Sequence, residues 1–143
     1  MFVDASVIVA ILGREPDGEA LVERLRGDDI DNIYISPLVR FEAVAALARI
    51  KTKKQGADFK PTRESLMQAR ASVDALAEWM GAKKVDISTE VGDAAINASS
   101  IYGKIVGHPA ELNFGDCFAY ACAKALGVPL AYKGNDFALT DLA

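Results

Sequence analysis

The sequence predicts a three-layer α/β/α fold, a single domain with a central parallel sheet covered by helices on both faces. Two observations predict it. Short apolar segments of strand character recur at residues 1–5, 33–35, 84–87 and 128–132, and longer segments with helical spacing separate them. Strands separated by helices pair in parallel through right-handed crossovers, which places helices over both faces of the sheet. A chain of 143 residues fits one such unit, spanning residues 1–143, whose folding buries roughly 70% of the surface the unfolded chain exposes.

Met1 to Ala5 reads as a buried strand, and Ser6 is placed to cap a short helix through Leu12. Gly13 to Pro16 interrupts the chain before a helical segment from Asp17 to Arg26, and Ile33 to Ile35 forms the second strand. Ser36-Pro37 combines an N-cap with a proline at the first helical position, so a helix begins there and runs to about Lys53. A loop from Gln55 to Thr62 leads into a helix from Arg63 to Met80, followed by the third strand from Lys84 to Ile87. Ser88 or Thr89 caps the next helix, which reaches Tyr102. Gly103, Gly107 and Pro109 then make a mobile connection. Asn113 starts a helix to Leu126, Val128 to Tyr132 is the fourth strand, and Lys133-Gly134-Asn135-Asp136 turns away from its end. Parallel sheets bind ligands outside the carboxyl ends of their strands. Asp4 and Asp136 therefore face one crevice.

Composition narrows the class. Hydrophobic residues make up 51% and charged residues 25%, ordinary values for a globular chain and far from disordered or membrane classes. No stretch approaches the roughly 20 apolar residues of a membrane span. The apolar N-terminus, MFVDASVIVAILG, lacks a preceding Lys or Arg and is interrupted by Asp4, so it reads as fold and not as a signal peptide. Cys117 and Cys122 share one apolar segment without metal-ligand spacing and read as buried thiols, which fits a reduced, cytoplasmic setting. A net charge of −4 argues against binding nucleic acid by bulk attraction. Positive residues nevertheless concentrate from Arg49 to Arg63 (Arg49, Lys51, Lys53, Lys54, Lys60, Arg63), with Asp58 the only acid among them. Such a run is usually a solvated face.

Four acids carry the chemistry. Glu42 sits in LVRFEAVAALARI, a helix apolar nearly all round, where its arc also holds Leu38, Ala45 and Ala46. A carboxylate in that surface is costly unless it is paired or holds a metal. Arg49 is two turns away and Arg40 points to the opposite side, so no ion pair accounts for it. Asp116 lies three residues after Asn113, a spacing that also suits a capping box, and Gly115 opens the backbone beside it. Asp4 could likewise cap the helix that follows the first strand. Beyond the fourth strand, Asn135 and Asp136 compete for one position. Asp136 is the better ligand by charge, and a plain turn residue is its simplest structural explanation.

MFVDAS, FEAV and NFGDCFAYACAKALGVPLAYKGNDF together resemble the acidic motifs of the PIN domain family, and within it the VapC-type toxins of bacterial toxin and antitoxin pairs. The likeness covers nearly the whole chain, and the ordered set of motifs is more specific than any one of them. It implies a PIN-like fold and metal-binding roles for Asp4 and Asp116, with Glu42 and the Asn135-Asp136 pair completing the pocket. Ser6 matches the small hydroxyl residue that follows the first aspartate. The resemblance further implies hydrolysis of RNA to a 5′ phosphate and a 3′ hydroxyl. It also implies a cognate antitoxin, contact with operator DNA only through that antitoxin, and a homodimer.

The residues alone reach part of this. Oxygen ligands without His or Cys favour Mg²⁺, or Mn²⁺, over zinc, and such an ion can activate water for attack on a phosphate ester. His108 is the only histidine, which excludes a two-histidine ribonuclease mechanism. It reads as a loop residue. Neither a P-loop nor a GxGxxG fingerprint is present. Tyr102 and Phe114 flank the glycine-rich connection and could stack on bases, although core packing is the simpler expectation for Phe114. A metal-dependent DNA nuclease or phosphatase with the same acids, and a non-catalytic binding module, are the competing readings.

Overall fold

The computed structural model describes residues 1–27, 32–53 and 60–142. Four strands, β1 (Phe2–Val3), β2 (Tyr34–Ile35), β3 (Lys83–Lys84) and β4 (Leu130–Ala131), form one parallel sheet in the order β3-β2-β1-β4. The helices are α1 (Ala5–Gly13), α2 (Gly18–Arg26), α3 (Pro37–Lys53), α4 (Arg63–Trp79), α5 (Thr89–Tyr102) and α6 (Phe114–Leu126). Consecutive residues of a strand face opposite sides of its sheet. Phe2 and Val3 are both fully buried, so helices cover both faces at β1. The predicted three-layer architecture holds.

The core is aliphatic and continuous from the sheet into the helices, with Phe2, Ile8, Ile35, Leu47, Leu112 and Phe137 among its largest members. α3 packs on α4 and α1, while α5 packs on α6. Helix starts follow the cap chemistry of the sequence. The Ser36 hydroxyl accepts from the Val39 N–H at 3.2 Å, and the Ser88 hydroxyl accepts from Val91 at 3.3 Å. Thr62 and Ser65 close a reciprocal capping box on α4. Where the fold departs from expectation, long-range partners decide. β3 falls at Lys83–Lys84 and not at residues 84–87, because the pairing carbonyls available to it are those of Ile33, just before β2, and Ile35 within it, taken by Lys83 and Val85. The glycine-rich connection holds a 3-10 turn (Lys104–Val106) and a bridge between Gly103 and Leu112. The predicted loop from Gln55 to Thr62 lies outside the described residues as far as position 59.

The strand order places a topological switch point between β1 and β4. The chain builds β1, β2 and β3 outward in one direction and then returns to add β4 on the other side of β1. Open parallel sheets bind ligands at the carboxyl edge of such a point. Asp4 leaves β1 there, and the turn carrying Asp136 leaves β4 beside it.

Candidate active site

Asp4 is the first residue beyond β1. Its N–H donates to the Ala131 carbonyl at 2.9 Å, extending the pairing with β4, and its extended backbone turns the chain into α1. Its carboxylate Oδ2 accepts the Ser6 N–H at 2.8 Å, so Asp4 and not Ser6 is the N-cap. The Ser6 hydroxyl is engaged elsewhere: it accepts the Lys133 N–H at 3.0 Å and ties α1 to the turn after β4. Asp4 is buried at 5% exposure.

Asp116 is the third residue of α6 and closes a capping box with Asn113. Its Oδ2 accepts the Asn113 N–H at 2.8 Å, while Asn113 Oδ1 accepts from Gly115 at 2.8 Å and Asp116 at 3.2 Å. The capping explanations for Asp4 and Asp116 are therefore both realised. In each case the recorded bond uses one carboxylate oxygen. Burial pushes Asp116 up from 3.8 to about 6 against the lowering effect of the Asn113 N–H, and the charges of Asp4 and Asp136 add to the rise.

Glu42 reaches the same place from α3. Its carboxylate lies against Gly115, and a Cβ on that residue would overlap it. A larger residue at position 115 would push the Glu42 carboxylate out of this place, which gives Gly115 a role in seating it. Burial first, then the charges of Asp4 and Asp116, raise Glu42 from 4.5 to about 7. Arg40 gives no relief, because it forms a bidentate pair with Asp74 at 2.6 and 2.7 Å on the other side of α3.

The turn after β4 supplies the exposed residues Asn135 and Asp136. Asp136 is the member whose charge reaches Asp116, whereas the Asn135 carbonyl accepts the Ala138 N–H within the turn. Phe137 anchors the turn in the core against Tyr132, with ring centroids 5.0 Å apart. Lys133 anchors its other end: its ammonium bonds Glu15 and lies 3.0 Å from Asp17 Oδ1. Sequence reasoning missed this strut, since its partners lie more than a hundred residues away and only their charges signal them.

The four acids thus come from four separate segments and interact electrostatically at one edge. Among the described residues, no group of three or more His, Cys, Asp or Glu side chains is placed to hold a metal ion as it stands. The carboxylates act on one another through their charges and do not form a closed cage.

Other expectations resolve individually. Phe114, expected in the core, is 69% exposed because it occupies the first turn of α6 before the buried face begins at Gly115. Phe41, beside Glu42, is 70% exposed and was not singled out by the sequence. Tyr102 packs against His108 and Tyr120 at 5.4 and 5.6 Å between centroids. His108 has a local role, its Nδ1 accepting the Ala110 N–H. Both cysteines are buried. In the basic stretch, Arg49, Lys51, Lys53, Lys60 and Arg63 are exposed, while Lys54 and Asp58 lie outside the described residues. No helix among the described residues is long and apolar enough to cross a membrane.

Comparison with known proteins identifies the family of the chain. The PIN domain family model matches residues 1–142. A VapC ribonuclease of Rhizobium meliloti (strain 1021) is 51% identical over 99% of this chain and 98% of its own length. Ribonuclease VapC30 of Mycobacterium tuberculosis (strain H37Rv) is 35% identical over the whole chain and 96% of its own. Among solved structures, that of Mycobacterium tuberculosis VapC20, described as a sarcin-ricin loop cleaving toxin, superposes with a TM-score of 0.66 at 17% identity, covering 96% of this chain and 92% of that one. The last supports the fold alone. With a family model spanning all but its final residue and near full-length VapC relatives, this chain belongs to the PIN domain family.

Proposed function

We propose that this protein is a metal-dependent endoribonuclease, the toxin of a type II toxin and antitoxin pair, hydrolysing phosphodiester bonds in RNA. One observation carries the reading: four carboxylates from separate elements interact at the switch point of the sheet, and burial together with the charges of the others raises the pKa values of two of them. Two carboxylates about 4 Å apart repel by roughly 4 kcal/mol at an effective dielectric near 20. A site that gathers such charge needs a cation or protons to relieve it. The names of the near full-length relatives support ribonuclease activity.

The donor set fits a hard divalent ion, Mg²⁺ or Mn²⁺, since it consists of carboxylate oxygens without His or Cys. Asp4, Asp116, Glu42 and Asp136 would hold it. When bound, the ion supplies Lewis acidity toward the phosphate and lowers the pKa of water. The protein supplies the rest. The Ser6 and Asn113 N–H groups fix the orientation of Asp4 and Asp116, and Ser6 and Asn135, close to Asp4 and Asp136 in the chain, would position substrate or water. Water oxygen would attack phosphorus as the bond to the 3′ oxygen breaks, the attacking water would give its proton to solvent, and the departing 3′ oxygen would take one from solvent, giving a 5′ phosphate and a 3′ hydroxyl.

Family likeness also supports a cytoplasmic setting, a cognate antitoxin, operator DNA reached only through it, and a homodimer. The test is a substrate panel of RNA, DNA and phosphate monoester with Mg²⁺ or Mn²⁺. Cleavage of RNA alone, abolished in folded Asp4→Asn and Asp116→Asn proteins, is the expected result. Preferential cleavage of DNA or the monoester, or full activity in those variants, overturns the reading.

A further inference from the structure

The two residues of the Glu42–Gly115 contact each follow an aromatic residue in the chain. Phe41 immediately precedes Glu42 on α3, and Phe114 immediately precedes Gly115 on α6, so each ring is rooted about 3.8 Å along the chain from a residue of that contact. Both rings are turned to solvent, at 70% and 69% exposure. Phe114 is braced from one side by Phe118, at 5.0 Å between centroids, which leaves its remaining surface open. Neither ring contributes to the buried core.

Electrostatics gives these rings a task. The chain carries a net charge of −4 and gathers acids where a phosphate must come. Several cations are already engaged with acids: Arg40 with Asp74, Lys124 with Asp141, and Lys133 with Glu15 and Asp17. Arg49, Lys51, Lys53, Lys60 and Arg63 remain exposed to meet phosphates, and close to the acids a contact that is not ionic adds affinity without adding repulsion. Stacking of a base on an aromatic ring is such a contact and is tolerant of sequence.

We infer that Phe41 and Phe114 form a base-binding subsite, stacking on unpaired bases of RNA on either side of the phosphate presented to the acids. The inference rests on the proposed ribonuclease function and deepens it. Single-stranded or looped RNA is the substrate class that fits, because its bases can splay out to reach the rings.

The test uses Phe41→Ala and Phe114→Ala proteins with Phe→Trp at each position. Cleavage of a looped RNA in Mn²⁺ is measured alongside binding of a short randomised RNA containing 2-aminopurine, whose fluorescence is quenched by stacking. Each alanine variant should raise KM about 10-fold with kcat little changed and should lose the quench, and tryptophan should restore both. Both positions are exposed, so melting temperatures should stay near that of the parent. If the parent cleaves RNA and the alanine variants match its KM and quench, the subsite is wrong while the ribonuclease reading stands. If instead the variants change only the molecular mass in solution, the rings serve a protein contact and the inference also fails. If the parent binds with a phenylalanine-dependent quench but cleaves nothing, the subsite stands and the enzymatic reading falls. Absence of both binding and cleavage overturns both.

Discussion

Glu42→Gln keeps the shape of the side chain and removes the charge its surroundings oppose most. Folding raises the Glu42 carboxyl from 4.5 to about 7, by burial and by Asp4 and Asp116, and unfolding returns it to the ordinary value. The folded state holds this proton more tightly, so the contribution to stability is complete below about pH 4.5 and is lost as pH rises through about 7. At about 1.4 kcal/mol per pH unit, the full loss is about 3 kcal/mol. Asp116 is raised to about 6 by an overlapping set of neighbours, so the two losses are coupled and one substitution recovers about 1–3 kcal/mol. Glutamine, neutral at every pH, escapes the loss. For a chain of this size that corresponds to roughly 3–10 °C in Tm.

Thermal melts of both proteins in EDTA at pH 5 and pH 8 provide the assay. Near pH 5 the parent carries a protonated Glu42 and the two should melt together. At pH 8 the glutamine variant should melt higher by that margin. Saturating Mn²⁺ at pH 8 should raise the parent's Tm through binding to the folded state and close the gap, because the variant lacks one of the proposed donors. Equal melting at pH 8 in EDTA, or an advantage of the same size at pH 5, would refute the claim that the acid cluster strains Glu42.

Gly115→Ala should displace the Glu42 carboxylate, since the new methyl overlaps it. The overlap costs about 1–3 kcal/mol, offset by about 1 kcal/mol of gained helix propensity, so rate should fall at least about 10-fold with only a modest change in Tm, checked by kinetics and melts of one preparation. Lys133→Met cuts the tie from the Asp136 turn to Glu15 and Asp17. The Mn²⁺ concentration for half-maximal cleavage should rise severalfold, and Lys133→Arg should restore it, because either cation can span the acidic pair.

What the sequence disclosed and what it withheld divide by the range of the interactions. Caps are local, and Ser36-Pro37 and Asn113 located the starts of α3 and α6. The isolation of Glu42 was also legible, because the positions of Arg40 and Arg49 on the same helix already excluded a partner. The N-cap of α1 was not legible. Asp4 and Ser6 both carry suitable oxygens, and the choice is made by Lys133, whose N–H takes the Ser6 hydroxyl from the far end of the chain. Strand lengths failed similarly, since the extent of β3 is set by its neighbour and not by its own residues. Phe114 was misplaced because an apolar residue at a helix start reads as core, whereas the inward face of α6 begins one residue later. Gly115 announced an open backbone, but only the fold reveals that the carboxylate of Glu42 fills the opening.

Asp4 and Asp116 show that capping and a chemical role need not compete, and the difference can be measured. Each gives Oδ2 to a backbone N–H, a bond worth about 1 kcal/mol at a helix start. Asparagine retains a carbonyl oxygen that can accept the same N–H, while alanine does not. If capping were the whole role, Asp→Asn would be nearly silent and Asp→Ala would lower activity only as far as it lowers stability. If each carboxylate also binds the cation, both substitutions abolish cleavage and the Mn²⁺-induced rise in Tm, and only alanine adds the cost of about 1 kcal/mol measured in EDTA. The N–H bond is then part of the chemistry, because it holds one oxygen in place and fixes the direction in which the other can meet the metal.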